Sequence, residues 1–281
     1  MILLSSIFTP CHNCFFCGKH SFPAIWRILS TFELDNGGIS VYFICIMETL
    51  ALIKFLAQYG GVSRREADAA IRAGRVTVDG EAVLRPEHRL SGNEEVCFDG
   101  KKVESIEREH VYIMLNKPVN YTCSANDSHA EHLAVELIDV QERIFSAGRL
   151  DRDSEGLIIF SDDGVFIDRL THPRYGIKKL YHVTVNGTFT AKELEKMCSG
   201  VRDEDGDIKA LEVRSVGSNI YSFLLNEGKK REIRRLVKAM GKRVKRLVRV
   251  RQGALELGDL APGKWRYLTA DEVKKVQENV E

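Results

Sequence analysis

Downstream of His110, short apolar runs of strand character outnumber helical stretches, and several follow one another directly. "VYIMLNKPVNY" reads as a buried strand running into a loop at Lys117-Pro118. "GLIIF" is a short apolar strand, "KKLYHVTVNG" alternates, and "ALEVRSV" and "NIYSFLLNEG" are strands in succession. Helices are expected over "EHLAVELI", over "VFIDRL" after Gly164, and over "TAKELEKMCSG", closed by Gly200. "KKREIRRLVKAMG" is an amphipathic helix with Ile233, Leu236, Val237 and Met240 on its apolar side. Strands in runs, without a helix between each pair, favour an α+β fold over a doubly wound sheet.

A smaller module precedes this region, joined by the charged connector "ESIEREH" from Glu104 to His110. "LALIKFLAQY" has helical apolar spacing and stops at Gly60-Gly61. Ser63 and Glu66 form an S-x-x-E capping box, so a second helix begins at Ser63 and ends near Gly74. Arg64 and Arg65 lie in its exposed first turn, and Arg72 and Arg75 near its end. Hairpin turns are expected at Asp79-Gly80 and Asp99-Gly100. Arginines along one edge of such a module could hold a phosphate backbone, although similar arginines are often ordinary surface residues.

The net charge of +1 hides an uneven distribution. From Lys229 to Arg251 twelve residues are Lys or Arg, beginning Lys229, Lys230, Arg231, Arg234 and Arg235, and Glu232 is the sole acid. A block of this kind points to a polyanion, with a solvated charged helix as the alternative. No apolar run reaches the ~18 residues of a membrane span, and "MILLSSIFTP" lacks the basic start of a signal peptide. The seven cysteines do not form a disulfide framework, so a reducing cytoplasm is expected. Four of them, Cys11, Cys14, Cys17 and Cys45, precede Met47. With His20, "CHNCFFCGKH" offers soft-metal ligands, but the spacing fits neither the paired knuckles of zinc sites nor a ferredoxin run. No metal is expected, and residues 1–46 are read as a non-native or disordered extension before the true start.

The stretch "SAGRLDRDSEGLIIFSDDG" from Ser146 to Gly164 concentrates five acids. A D-x-D-x-S phosphotransferase loop is disfavoured because the apolar strand follows the aspartate rather than preceding it. "DEDGDIKALEVR" fails as a calcium loop, with Gly206 at position four and Arg214 at position twelve. His129 and His132 have no ligand company and read as surface or packing residues. What remains is a single carboxylate kept ionised by a guanidinium, and Arg234 on the basic helix is a candidate for that partner.

The wording "FLAQYGGVSRREADAAIRAGRVTVDG" resembles the RNA-binding module of ribosomal small-subunit protein S-four, over residues 49–105. "AGRLDRDSEGLIIFSDDG", "KKLYHVTV" and "NEGKKREIRRL" resemble, in order and spacing, three motifs of RNA pseudouridine synthases. "VRVRQGALELGDLAPGKWRYLT" extends the likeness towards the C-terminus, and "SEG" replaces the commoner "TxG". The resemblance implies a catalytic domain over 110–272 with a mixed, mainly antiparallel sheet. It implies Asp151 as the essential aspartate, Tyr181 as the residue packing on the target uracil, and Arg234 as the basic partner. Arg149 is implied to reach into the RNA where the base is displaced. Asp153 and Glu155 are then turn and local hydrogen-bonding residues, and Asp162 and Asp163 a turn and cap. The implied partner is ribosomal RNA or a ribosomal assembly intermediate, with the large-subunit RNA preferred over the small. A monomer without cofactor is expected, as is a basic groove built from Arg64, Arg65 and the 229–251 block. A non-catalytic assembly factor would show the same basic surface without needing Asp151, Tyr181 and Arg234 together.

Overall fold

The computed structural model describes residues 49–105, 109–124 and 131–278, together with the backbone of 25–33 and 39–46. It divides into two compact units between Arg108 and Glu109, inside the charged connector. Within residues 1–46, strands β1 (Ile25–Glu33) and β2 (Ile39–Ile46) pair antiparallel with each other. Cys11, Cys14, Cys17 and His20 lie outside the described residues.

In the first unit β3 (Leu50–Ala51) leads into α1 (Leu52–Tyr59) and α2 (Arg64–Arg72). Leu52, Phe55 and Leu56 of α1 and Ala67, Ala70 and Ile71 of α2 are buried, each set on one helical stripe. The capping box is complete: Ser63 Oγ accepts from the Glu66 N–H at 3.2 Å, and the Glu66 carboxylate accepts from the Ser63 N–H at 2.6 Å. Two orphan amides are satisfied this way, so Ser63→Ala should lower stability by about 1 kcal/mol in urea unfolding of the full chain. Strands β4 (Val76–Val78) and β5 (Glu81–Ala82) follow, then β6 (Arg89–Leu90), which pairs with β3. With β7 (Val96–Phe98) and β8 (Lys101–Lys102) they complete a sheet of order β5-β4-β7-β8. Both expected hairpin turns form. Asp79-Gly80 and Asp99-Gly100 have φ of 52° and 86°, and 49° and 74°, as a two-residue turn matched to strand twist requires.

The second unit opens with β9 (Tyr112–Lys117), β10 (Phe145–Ser146) and β11 (Glu155–Ser161), followed by α3 (Gly164–Thr171). Next come β12 (Lys179–Val185), α4 (Ala191–Ser199) and the small hairpin β13 (Val201–Asp203) and β14 (Gly206–Ile208). The hairpin occupies the segment excluded above as a calcium loop. β15 (Glu212–Gly217), β16 (Ile220–Leu225), α5 (Glu232–Ala239) and β17 (Val244–Gln252) follow, then β18 (Leu255–Glu256), β19 (Trp265–Tyr267) and α6 (Ala270–Gln277).

The main sheet runs β15-β16-β12-β17-β11-β9-β19, with β10 beside β11 and β18 beside β17. Among the described residues β11–β17 is its parallel pair and the other pairs are antiparallel, so the fold is α+β as expected. Side chains alternate between its faces. Leu115, Ile158, Val183 and Phe223 pack with Ile233, Leu236 and Val237 of α5. Met114, Leu157 and Ile159 pack on the other side with Phe166 and Leu170 of α3.

One sequence expectation is corrected, and one alternative is set aside. "EHLAVELI" forms a single 3-10 turn, Ala134–Leu137. Leu133 bridges Thr122 and Ile138 is extended, so no α-helical turn can propagate on either side. The basic block is not one helix either. Its first half is α5 and its second half is β17, a strand inside the sheet.

Candidate active site

Asp151 sits in the turn before β11. The Ser154 N–H donates to the Asp151 carbonyl at 3.0 Å, and the Asn120 N–H to the Arg152 carbonyl at 2.8 Å. Leu150 is buried in the core, and its N–H donates to Cys123 Sγ at 3.4 Å. With Leu150 anchored inward, Arg149 stands exposed on one side and Asp151 half-buried on the other.

The other acids of this stretch have structural partners. Glu155 pairs with Arg246 through two contacts of 3.0 Å. Asp162 accepts from the Val111 N–H at 2.9 Å. Asp163 caps α3, accepting from Val165 at 2.8 Å and Phe166 at 3.1 Å.

A row of aligned residues crosses the sheet beneath the turn. Lys117 on β9 pairs with Gly156 on β11, Gly156 with Arg249 on β17, and Arg249 with Tyr181 on β12. Directly paired residues share a sheet face. Tyr181 is buried in the core cluster that also holds Leu150 and Cys123. It lies two strands from Gly156, about 10 Å by strand spacing. The sheet thus places Tyr181 on the face that carries the Asp151 turn.

Arg234 reaches the turn from α5, but its bonds are to Asp153. Arg234 Nη2 donates to the Asp153 carbonyl at 2.7 Å and lies 3.2 Å from its carboxylate. Arg231 grips the same carboxylate with both terminal nitrogens, at 2.9 and 3.3 Å. Arg234, expected as the basic partner of Asp151, thus donates to Asp153, which offers α5 both a carboxylate and a backbone oxygen. Asp151 still acts on the cluster through its field. Burial lowers the Arg234 pKa, while Asp153 and Asp151 oppose that shift. The hydrogen bonds that Arg231 donates to Asp153 raise its pKa, with Asp151 adding in the same direction.

The proposed RNA-facing cations divide into two groups. Arg64, Arg65, Arg149 and Lys230 are exposed and carry no ion pair among the described residues. Arg72 is paired with Asp68 at 2.9 Å, and Arg75 with Asp99 at 2.7 Å. Lys229 donates to the Asp207 carbonyl at 2.9 Å. Arg235 clamps Asp203 at 2.6 Å and the Gly206 carbonyl at 3.1 Å, so it secures the β13–β14 hairpin.

Sequence reasoning missed three members of the row. Lys117 is fully buried, its Nζ donating to the carbonyls of Pro118 at 2.8 Å and Tyr121 at 3.0 Å. Burial lowers the Lys117 pKa, opposed by Cys123, Glu155, Asp153 and Asp151. Arg249 is 2% exposed; its Nε donates to the Leu157 carbonyl at 2.7 Å, and its buried Nη2 has no hydrogen-bond partner among the described residues. Gly156 has φ +107°, and a Cβ there would fall 2.3 Å from the Arg249 carbonyl oxygen. A lysine closing an apolar run was the one visible signal; Arg249 is masked by its basic neighbours.

Comparison with known proteins agrees with this architecture. The RNA pseudouridylate synthase family profile matches residues 111–239, and the S4 domain profile matches residues 52–96. Ribosomal small subunit pseudouridine synthase A of Escherichia coli (strain K12) is 36% identical over 231 residues, covering 81% of this chain and 100% of that protein. Ribosomal large subunit pseudouridine synthase B of Bacillus subtilis (strain 168) is 32% identical over 233 residues, covering 80% and 95%. A crystal structure of a pseudouridylate synthase is 30% identical and aligns with a TM-score of 0.58, over 81% of this chain and 99% of that one. With a relative above 30% identity matched along its whole length, and with both units recognised separately, the chain belongs to the RNA pseudouridine synthase family.

Proposed function

We propose that this protein isomerises a uridine of ribosomal RNA to pseudouridine, and that the large-subunit RNA is its substrate. The observation that carries the reading is the Asp151 turn: one half-buried carboxylate, within the field of Lys117, Arg231 and Arg234, on the sheet face that holds Tyr181. Relatives named for both ribosomal subunits support ribosomal RNA as the class of substrate. Preference for the large subunit rests on the likeness of the 227–253 stretch to that branch.

The reaction breaks the N1–C1′ bond, turns the base and joins C5 to C1′. The proton lost from C5 is matched by one gained at N1, so no redox partner or energy donor is consumed. Asp151 begins it at the ribose, as nucleophile on C1′ or as base for the 2′ proton. Tyr181 packs on the uracil and assists loss of the C5 proton. The uridine must leave its stack first, and Arg149, exposed beside Asp151, fills the space it vacates. Arg64, Arg65 and Lys230 are free to hold phosphates. The protein acts as a cytoplasmic monomer in this reading.

Pseudouridine mapping of both ribosomal RNAs, with and without the protein, tests it. Loss of one large-subunit site is expected. Loss confined to small-subunit RNA would overturn the subunit assignment, and unchanged maps the substrate class.

A further inference from the structure

We infer that Asp153 is a positioning residue for the reaction: it tethers the guanidinium groups of Arg231 and Arg234 beside Asp151 and keeps Arg231 off the RNA backbone. This rests on the reading of Asp151 as the reactive carboxylate.

Three observations carry it. First, one carboxylate takes two guanidinium groups. Arg231 forms a fork on it, and Arg234 adds a bond to the Asp153 carbonyl. A forked guanidinium–carboxylate contact fixes direction as well as distance. Second, Arg231 caps α5 with φ +50°, a left-handed conformation uncommon for a non-glycine residue. Strain of that kind persists where surrounding contacts over-determine the backbone, and the Asp153 fork is such a contact. Third, two of the seven buried side-chain polar atoms that lack a hydrogen-bond partner among the described residues lie here. Ser154 Oγ and Arg234 Nε are both buried and unbonded, one on the Asp151 turn and one on α5. Buried polar atoms normally find partners, so this site keeps bonding capacity in reserve while its arginines are held by Asp153.

The charges facing the turn come from Lys117 on β9, Glu155 on β11, and Arg231 and Arg234 at the start of α5. Among the described residues, Asp153 is the acid that joins both arginines. Its removal frees Arg231, whose side chain is 45% exposed, to take a phosphate. It also loosens Arg234, whose side chain is 17% exposed and set within the site. The two consequences have opposite signs. RNA is held more tightly, and chemistry slows.

The test compares wild type, Asp153→Asn and Asp153→Glu on unmodified ribosomal RNA transcripts, measuring turnover and binding across a salt series. Asp153→Asn keeps the turn's shape and loses the charge. Its kcat should fall by about tenfold to a hundredfold, as misplaced reacting groups do. Its RNA affinity should rise, with the salt slope steeper by about one unit. Asp153→Glu, with the charge returned, should recover most of the turnover. Unchanged kcat and salt slope in Asp153→Asn would overturn the tether, as would parallel loss of binding and turnover in both variants. If wild type itself forms no pseudouridine, the reading of Asp151 fails, and the salt slope alone still decides whether Asp153 restrains Arg231.

Discussion

Asp151→Asn should give a folded protein that binds RNA as wild type does and forms no pseudouridine. Asp151 makes no side-chain hydrogen bond among the described residues, and only its backbone carbonyl fastens the turn. Asparagine keeps that carbonyl and nearly the same volume, so stability should move by less than about 0.5 kcal/mol. The chemistry cannot tolerate the change, since an amide is neither a nucleophile towards C1′ nor a base for the 2′ proton. Loss of such a group costs at least about 10³–10⁴ in rate. Binding is carried by cations on phosphates, and removing one negative charge takes away no such contact. Pseudouridine formation and filter binding on the same transcript check both halves. Turnover near the wild-type level would remove Asp151 from the mechanism.

The elements of the fold were legible wherever local chemistry decides them. The Ser63–Glu66 box placed α2, and the spacing of Ile233, Leu236, Val237 and Met240 gave the buried face of α5. Asp79-Gly80 and Asp99-Gly100 gave the turns because only certain residues accept φ above zero at those positions. Sheet order was a different matter. That β17 lies between β11 and β12 is a non-local fact, and it decides which charges are buried. In the sequence Arg249 is therefore one cation of a basic block and Lys117 the point where a strand meets a loop, although both are buried in the row beneath the Asp151 turn. The site shows the same limit. Asp151 and Tyr181 are proposed through motif likeness, whereas the two arginine contacts of Asp153 are visible only in the structure. Two arginines converging on it from 78 and 81 positions away leave no periodic trace.

Gly156→Ala should be the most damaging single methyl group in the catalytic unit. Gly156 stands where β11 and β17 run parallel, and its missing side chain lets the backbones approach. The added Cβ would lie 2.3 Å from the Arg249 carbonyl oxygen and 2.6 Å from its nitrogen, both backbone atoms that cannot rotate aside. The φ of +107° is also unfavourable for alanine. Overpacking and backbone strain together should cost about 3–5 kcal/mol. For a unit of this size that lowers the melting temperature by roughly 10 °C. Gly164→Ala is the matched control, because a Cβ at the start of α3 meets nothing within 4 Å and φ is not positive there. That change should be neutral or stabilising by about 0.4–1 kcal/mol. Activity should report the damage even at temperatures where Gly156→Ala stays folded. The clash can be relieved only by moving β11 away from β17, which shifts the turn beginning at Asp151 relative to Tyr181 and α5. A displacement near 1 Å is enough to cost about 10²-fold in rate. Melting curves and turnover at 20 °C measured on both variants separate the two effects: wild-type kcat in a destabilised Gly156→Ala protein would mean that the turn does not move with its strand.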